Sequence, residues 1–233
     1  MAPRSIDLGN PFIASLDGVC ELLLVRHGEQ HFQPDKPLDE NVDAPLSELG
    51  RRQAEAVGQR LADLHLDAVY ASTMQRAFHT GEAIAGHHDI DVAPRDDLVE
   101  INLWGALDQS RTLVDNLGAD ELRRIYRAGA ESRTWDAYPH SDDPDAFRSR
   151  VRGGIESIAA EHPGERVVVA CHGGVINAYL AHLFGSPRDT VVSVHHTSIT
   201  TLRAADDRWA VVAVNDYAHV LPFQSALDPL NAA

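Results

Sequence analysis

Two runs of continuous apolar residues stand out in a chain that elsewhere alternates apolar and polar positions. They are Leu22-Leu23-Leu24-Val25 and Val167-Val168-Val169-Ala170-Cys171. Short runs of this kind, bounded by polar residues, predict strands buried on both faces. Helical spacing dominates between them. Ala54, Val57, Leu61 and Leu64 follow Ser47, which suits the N-cap of a helix. Phe147, Val151, Ile155 and Ile158 form a second strong stripe, despite Gly153-Gly154 inside it. Met74 to Ala85 and Val175 to Phe184 read as further helices. Asp67 to Ala71 reads as a short strand, and Val92 precedes a loop holding Asp96, Asp97 and Glu100. Leu113, Leu117, Leu122 and Ile125 predict helices, with Gly118 as a break. Ile199 to Leu202 and Ala210 to Val214 close the series as a final pair of strands.

Strands alternating with helices predict the α/β class: three layers, a mostly parallel central sheet and helices on both faces. There is no internal repeat and no linker that divides the chain. The expected organisation is an irregular lead-in over residues 1–18, one domain over 19–220 and a tail over 221–233. Within the domain, about 104–145 is expected to form a small cap beside the site. Gln30 to Ala44 carries Pro34, Pro37 and several acids, so it reads as a surface loop.

Composition narrows the function classes. The 233 residues suffice for one large domain, and 44% apolar content supplies an ordinary core. A formal net charge of −15 argues against nucleic acid and anionic membranes, which need a basic surface. No apolar window reaches membrane-span length, and Met1 to Gly18 lacks the pattern of a signal peptide. A cytoplasmic protein is expected. Cys20 and Cys171 each abut a buried-strand run, so buried thiols are expected rather than a disulfide.

Both strand runs end in histidine and glycine: Arg26-His27-Gly28-Glu29 and His172-Gly173-Gly174. In open α/β sheets ligands bind in the crevice outside the carboxyl ends of strands. Together with Ser72-Thr73-Met74-Gln75-Arg76-Ala77 and Leu98-Val99-Glu100, these segments resemble the histidine phosphatase superfamily, the group that includes cofactor-dependent phosphoglycerate mutases. The motifs stand in the family's order and span most of the chain, from about Leu22 to Thr201.

The chemistry of these residue types fits phosphoryl transfer. Neutral imidazole can attack phosphorus and form a covalent phosphoramidate, and His27 is the candidate. A backbone carbonyl on its other ring nitrogen would fix the tautomer. Arg26 and Arg76 offer planar, permanently charged donors suited to phosphate. The resemblance implies that Arg26, Arg76 and His172 cradle the phosphoryl oxygens and that Glu100 is the general acid. The remaining histidines carry less. For His195-His196 a structural or solvent role is expected, because adjacent side chains on extended backbone point apart. His31 is left open between substrate and solvent, and His87-His88 reads as a helix-end loop. The sequence has neither His-Glu-x-x-His nor Cys-x-x-Cys, so no metal or cofactor is expected.

Departures from the family pattern fall around this centre. Gln30 and Gln33 stand where members commonly have Thr and Asn, and Gln33 keeps an amide able to bind substrate. Asp43-Ala44-Pro45-Leu46 replaces the usual Gln-Gly before the first helix, and Gly105-Ala106-Leu107-Asp108-Gln109 replaces Gly-x-Trp-Glu-Gly. Glu100-Ile101-Asn102-Leu103-Trp104 differs from the glycolytic mutase pattern around the acid, and His172-Gly173-Gly174 from its His-Gly-Asn. The resemblance therefore favours a phosphomonoester hydrolase acting on a small phosphorylated metabolite through phospho-His27. The alternatives are a cofactor-dependent phosphoglycerate mutase and a catalytically weak protein that binds a phosphorylated ligand. A homodimer is left open.

Overall fold

The computed structural model describes Ile13, Ser15 and residues 17–223. Most of the expected lead-in, and the tail beyond Phe223, lie outside the described residues. Six strands form one sheet in the order β3-β2-β4-β1-β5-β6. These are β1 (Cys20–Arg26), β2 (Ala68–Ser72), β3 (Val92–Arg95), β4 (Arg166–Cys171), β5 (Ile199–Ala205) and β6 (Arg208–Asp216). The pairs β3-β2, β2-β4 and β4-β1 are parallel, whereas β5 and β6 add antiparallel pairing on the far side of β1.

The central strands explain the continuous apolar runs. Leu22 and Leu24 face one core with Val167 and Val169, and Leu23 and Val25 face the other with Val168. Helices α2 (Glu48–Leu61) and α3 (Gln75–Ala85) cover the second face; α6 (Pro144–Glu161) and α7 (Gly173–Leu183) cover the first. The result is the expected three-layer, mostly parallel α/β domain. Cys20 and Cys171 are buried free thiols. No helix among the described residues is long and apolar enough to cross a membrane.

Local chemistry accounts for the helix ends. The Ser47 hydroxyl accepts from the Gly50 N–H at 2.9 Å, capping α2 as its position predicts. Asp143 caps α6 by accepting from Asp145 and Ala146, and Pro144 occupies the first turn where its missing N–H costs nothing. Of the glycine pair inside α6, Gly153 faces open space, whereas Gly154 has a packing reason. A Cβ on Gly154 would come within 2.8 Å of Asp97, the residue that starts the turn toward Glu100.

Two regions differ from the sequence pattern in detail. Gln30 to Ala44 is not wholly irregular: it contains a short helix, α1 (Leu38–Val42), and a bridge between Gln30 and Leu46. Buried Asn41 organises it, accepting from the Gln33 N–H at 2.9 Å and donating to the Gln33 and Pro37 carbonyls. Periodicity could not reveal a turn built on one side chain. In the stretch after Glu100, Gly118 separates α4 (Leu113–Leu117) from α5 (Ala119–Ser132) with φ +73°. Trp104, Tyr126 and Tyr138 make mutual edge contacts there, with centroids 5.8 to 6.4 Å apart. This stretch meets α1 directly, since Leu38 and Asp39 donate backbone hydrogen bonds to Arg111 and Gln109.

Candidate active site

Register places the two histidines together. Strands β1 and β4 are parallel neighbours with Arg26 opposite Cys171, so both chains leave the sheet at the same edge. His27 extends the ladder by donating its backbone N–H to Cys171 at 2.9 Å. The rings of His27 and His172 end 5.1 Å apart between centroids. Gly28 permits the sharp exit: a Cβ there would meet the Gly50 carbonyl oxygen of α2 at 2.3 Å.

The tautomer of His27 follows from its partners. Nδ1 lies 2.7 Å from the Gly28 carbonyl oxygen, which can only accept, so Nδ1 carries the proton. Nε2 therefore keeps its lone pair, and Arg76 Nε donates to it at 3.3 Å. The pKa of His27 is held well below the ordinary value by burial first, then by Arg76, His172 and Arg26. An uncharged imidazole with Nε2 free of a proton is a nucleophile in waiting.

His172 is fixed in a similar way. The Ser72 hydroxyl accepts from the Met74 N–H at 3.3 Å and sits 2.9 Å from His172 Nε2. In the tautomer whose Nε2 accepts the Ser72 proton, Nδ1 is an N–H donor. That Nδ1 and Arg26 Nε are buried and have no protein partner. Burial, then Arg76 and Arg26, keeps His172 well below the ordinary histidine pKa.

The two arginines stay in the pocket because backbone carbonyls hold their outer nitrogens. Arg26 Nη1 donates to Val194, and Arg76 Nη1 to Val42 at 3.0 Å. Glu82, further along the same helix as Arg76, lies beside His79 at 4.0 Å. Burial lowers the Arg26 pKa to about 10, so it remains charged at neutral pH. Glu100 sits at the N-terminus of α7. Its Oε2 accepts from the Gly174 N–H at 2.8 Å and its Oε1 from Ile101 at 3.1 Å. Gly174 leaves room for this carboxylate: a Cβ there would lie 2.2 Å from Glu100 Oε1 and push it aside. Burial raises the Glu100 pKa, against the opposing pull of the Gly174 N–H and Arg76. Arg150 secures the preceding turn by donating to the Asp97 carbonyl at 2.9 Å.

The five residues singled out in the motifs, Arg26, His27, Arg76, Glu100 and His172, thus converge on one crevice at the strand ends. Gln33 is placed less directly. Its backbone clamps Asn41, and no hydrogen bond fixes its side chain among the described residues. His31 is exposed and engages only its backbone, with Pro45. His195-His196 divides as adjacent residues should, but with an unexpected result. His195 stacks on Tyr217 at 4.0 Å, whereas the His196 ring comes within 5.6 Å of His27. The expected structural or solvent role for that pair does not foresee this position. The roles of Ser72, Thr80 and Asn41 also lie beyond the sequence reading, although Ser72 opens one of the motifs, because their hydroxyl and amide contacts arise from tertiary packing. Thr80, for example, accepts the Gly28 N–H at 3.1 Å and donates to the Arg76 carbonyl. Among the described residues, no cluster of three or more His, Cys, Asp or Glu is arranged to hold a metal ion.

Known proteins share this arrangement's framework. The chain is 30% identical over 205 residues to phosphoglycerate mutase-like protein 4 of Arabidopsis thaliana, covering 86% of this chain and 87% of that protein. It is 29% identical over 205 residues to the metal-independent phosphoserine phosphatase of the same plant, covering 87% and 84% respectively. The solved structure of YhfR from Bacillus stearothermophilus superposes with a TM-score of 0.71 at 27% identity, over 86% of this chain and 99% of that one. The family model of the histidine phosphatase superfamily, branch 1, matches residues 22–217, a span that runs from the first residues of β1 past both histidines to the end of β6. Because that match covers most of the chain, the chain belongs to branch 1 of the histidine phosphatase superfamily.

Proposed function

We propose that the protein hydrolyses a small phosphate monoester through a phospho-His27 intermediate. The observation that carries the reading is the Gly28 carbonyl on His27 Nδ1, which leaves a proton-free Nε2 beside two arginines. In the first step Nε2 attacks phosphorus, the P–N bond forms and the ester P–O bond breaks. The leaving oxygen takes a proton from Glu100, whose raised pKa favours the protonated acid. Arg26, Arg76 and His172 Nδ1 stabilise the equatorial oxygens, where charge is spread in the transition state. In the second step ionised Glu100 accepts a proton from water, the oxygen attacks phosphorus and the P–N bond breaks. Free phosphate and neutral His27 result.

The surroundings favour water over a returning sugar acid as the second acceptor. A mutase must also hold a carboxylate or a second phosphate, which requires further cations. Those in the covering segments are engaged or turned outward. Arg123 pairs with Asp120, Arg124 with Glu121 and Arg111 with the Asp115 carbonyl; Lys36 lies 4.0 Å from Glu40, and Arg127 and Arg133 are exposed. The mutase reading keeps one support, the shared framework with phosphoglycerate mutase-like relatives.

Alkaline-quench labelling with a radiolabelled phosphate ester tests the reading. Wild type should retain an acid-labile, base-stable label, and H27A should lose both label and turnover. Turnover preserved in H27A would overturn the mechanism. With 3-phosphoglycerate and catalytic 2,3-bisphosphoglycerate, phosphate release should outpace formation of 2-phosphoglycerate. The reverse order would establish the mutase.

A further inference from the structure

The loop between α7 and β5 brings a third imidazole to the nucleophile. His196 lies with its ring centroid 5.6 Å from that of His27 and tilted by 48°. Its ring makes no hydrogen bond or ion pair with any described residue, although it is partly buried and faces a cluster of charged and polar groups. The ring is only partly buried, so its nitrogens stay accessible rather than being sealed in the core. Burial, Arg26, His195 and Arg76 drive its pKa down to about 3, so the ring is neutral and holds one N–H.

The backbone that delivers His196 is strained and clamped. Thr197 has φ +55°, a region that a β-branched residue rarely adopts. Such strain persists only where surrounding contacts impose it, and it gathers at functional sites. The contacts are explicit here. The Thr197 N–H donates to the Arg26 carbonyl at 3.0 Å, and its hydroxyl donates to the His196 carbonyl at 2.8 Å. On the other side Asn215, itself at φ +59°, accepts from the His195 N–H at 2.8 Å and donates to the Ser193 carbonyl. The loop is thus tied at one end to the residues that carry the nucleophile and at the other to β6.

We propose that His196 is a further phosphate-contacting residue, whose neutral N–H donates to an oxygen of the phosphoryl group on His27. The proposal rests on the phospho-His27 reading and adds a donor that the motifs do not contain. Its partner is the phosphoryl group common to all substrates, so its effect is independent of the leaving group. That separates it from Glu100.

The experiment uses the whole chain and inorganic phosphate as the probe. H196A should raise the inhibition constant for inorganic phosphate by roughly tenfold to a hundredfold, the range for a lost hydrogen bond to a charged group. It should lower kcat/KM by one common factor for p-nitrophenyl phosphate and an alkyl phosphate, and H196Q, which keeps an N–H donor, should recover part of both. In wild type, phosphate should shift, besides the signals of His27 and His172, the ring ¹⁵N signal that is missing from H196Q; this reading stands even if H196A does not fold. Unchanged phosphate affinity in H196A, a loss confined to one leaving group, or no shift of that signal would overturn the proposal. Absence of a phosphoenzyme in wild type would sink the His27 reading, while the phosphate affinity of H196A still decides this one.

Discussion

Glu100 joins two demands that usually conflict: it must carry a proton at working pH, yet it sits among cations that favour its ionised form. Burial decides the outcome and raises its pKa despite Arg76 and the backbone donors of Gly174 and Ile101. His27 must be neutral, and its pKa is displaced far downward. The two shifts set the pH profile. As pH falls below the ordinary histidine range, His27 does not protonate and the rate holds. As pH rises through the raised Glu100 pKa, the acid is lost and the first step slows. The kcat/KM profile should therefore favour mildly acidic pH, with a descending alkaline limb. E100Q should remove that limb and cost an alkyl phosphate far more than p-nitrophenyl phosphate, whose leaving group needs no proton. Equal losses on both substrates would reassign the acid.

At the scale of elements, the site depends on the short helix α1. Asn41 holds α1 to Gln33, and Val42 at its end holds Arg76 Nη1. Asp43 adds a bond from the Gln75 N–H, so this loop also steadies the first turn of α3. N41A should leave the core, and hence the melting temperature, nearly unchanged. It should raise KM by about tenfold, as expected for roughly 1.5 kcal/mol of lost hydrogen bonding. Steady-state kinetics beside thermal melts check this. A large fall in melting temperature with KM unchanged would show that Asn41 serves stability rather than the placement of Arg76.

The whole molecule carries an acid-sensitive device in its buried neutral histidines. His27 is 4% exposed and His172 is fully buried, and both have folded pKa values well below the unfolded value of about 6.5. Below that pH the unfolded chain binds protons that the folded chain refuses, so stability falls as pH falls. Each histidine should change the folding constant by about tenfold per pH unit in this window. Glu100 opposes them, since it holds a proton more tightly when folded. Urea titrations between pH 7.5 and 5.5 should show the midpoint dropping, with a shallower drop in H172Q. A midpoint independent of pH would mean that the cluster is hydrated or charged when folded.

Much of this architecture could be read from the chain because it rests on local physics. Leu22 to Val25 and Val167 to Cys171 are apolar on both faces, so they belong at the centre of a sheet wherever the other strands lie. The Ser47 cap and the periods of α2 and α6 likewise depend on neighbours along the chain. The five motif residues were visible because each adjoins such an element and matches a known order of motifs. What the tertiary structure decided is of another kind. Gly28 meeting Gly50, Gly154 meeting Asp97, Asn41 closing its own turn, and Ser72 meeting His172 all join atoms that no period relates. His196 shows the difference most sharply. Alternation along extended backbone separates the rings of His195 and His196, but only the strained turn at Thr197, pinned to the end of β1, decides which ring meets His27.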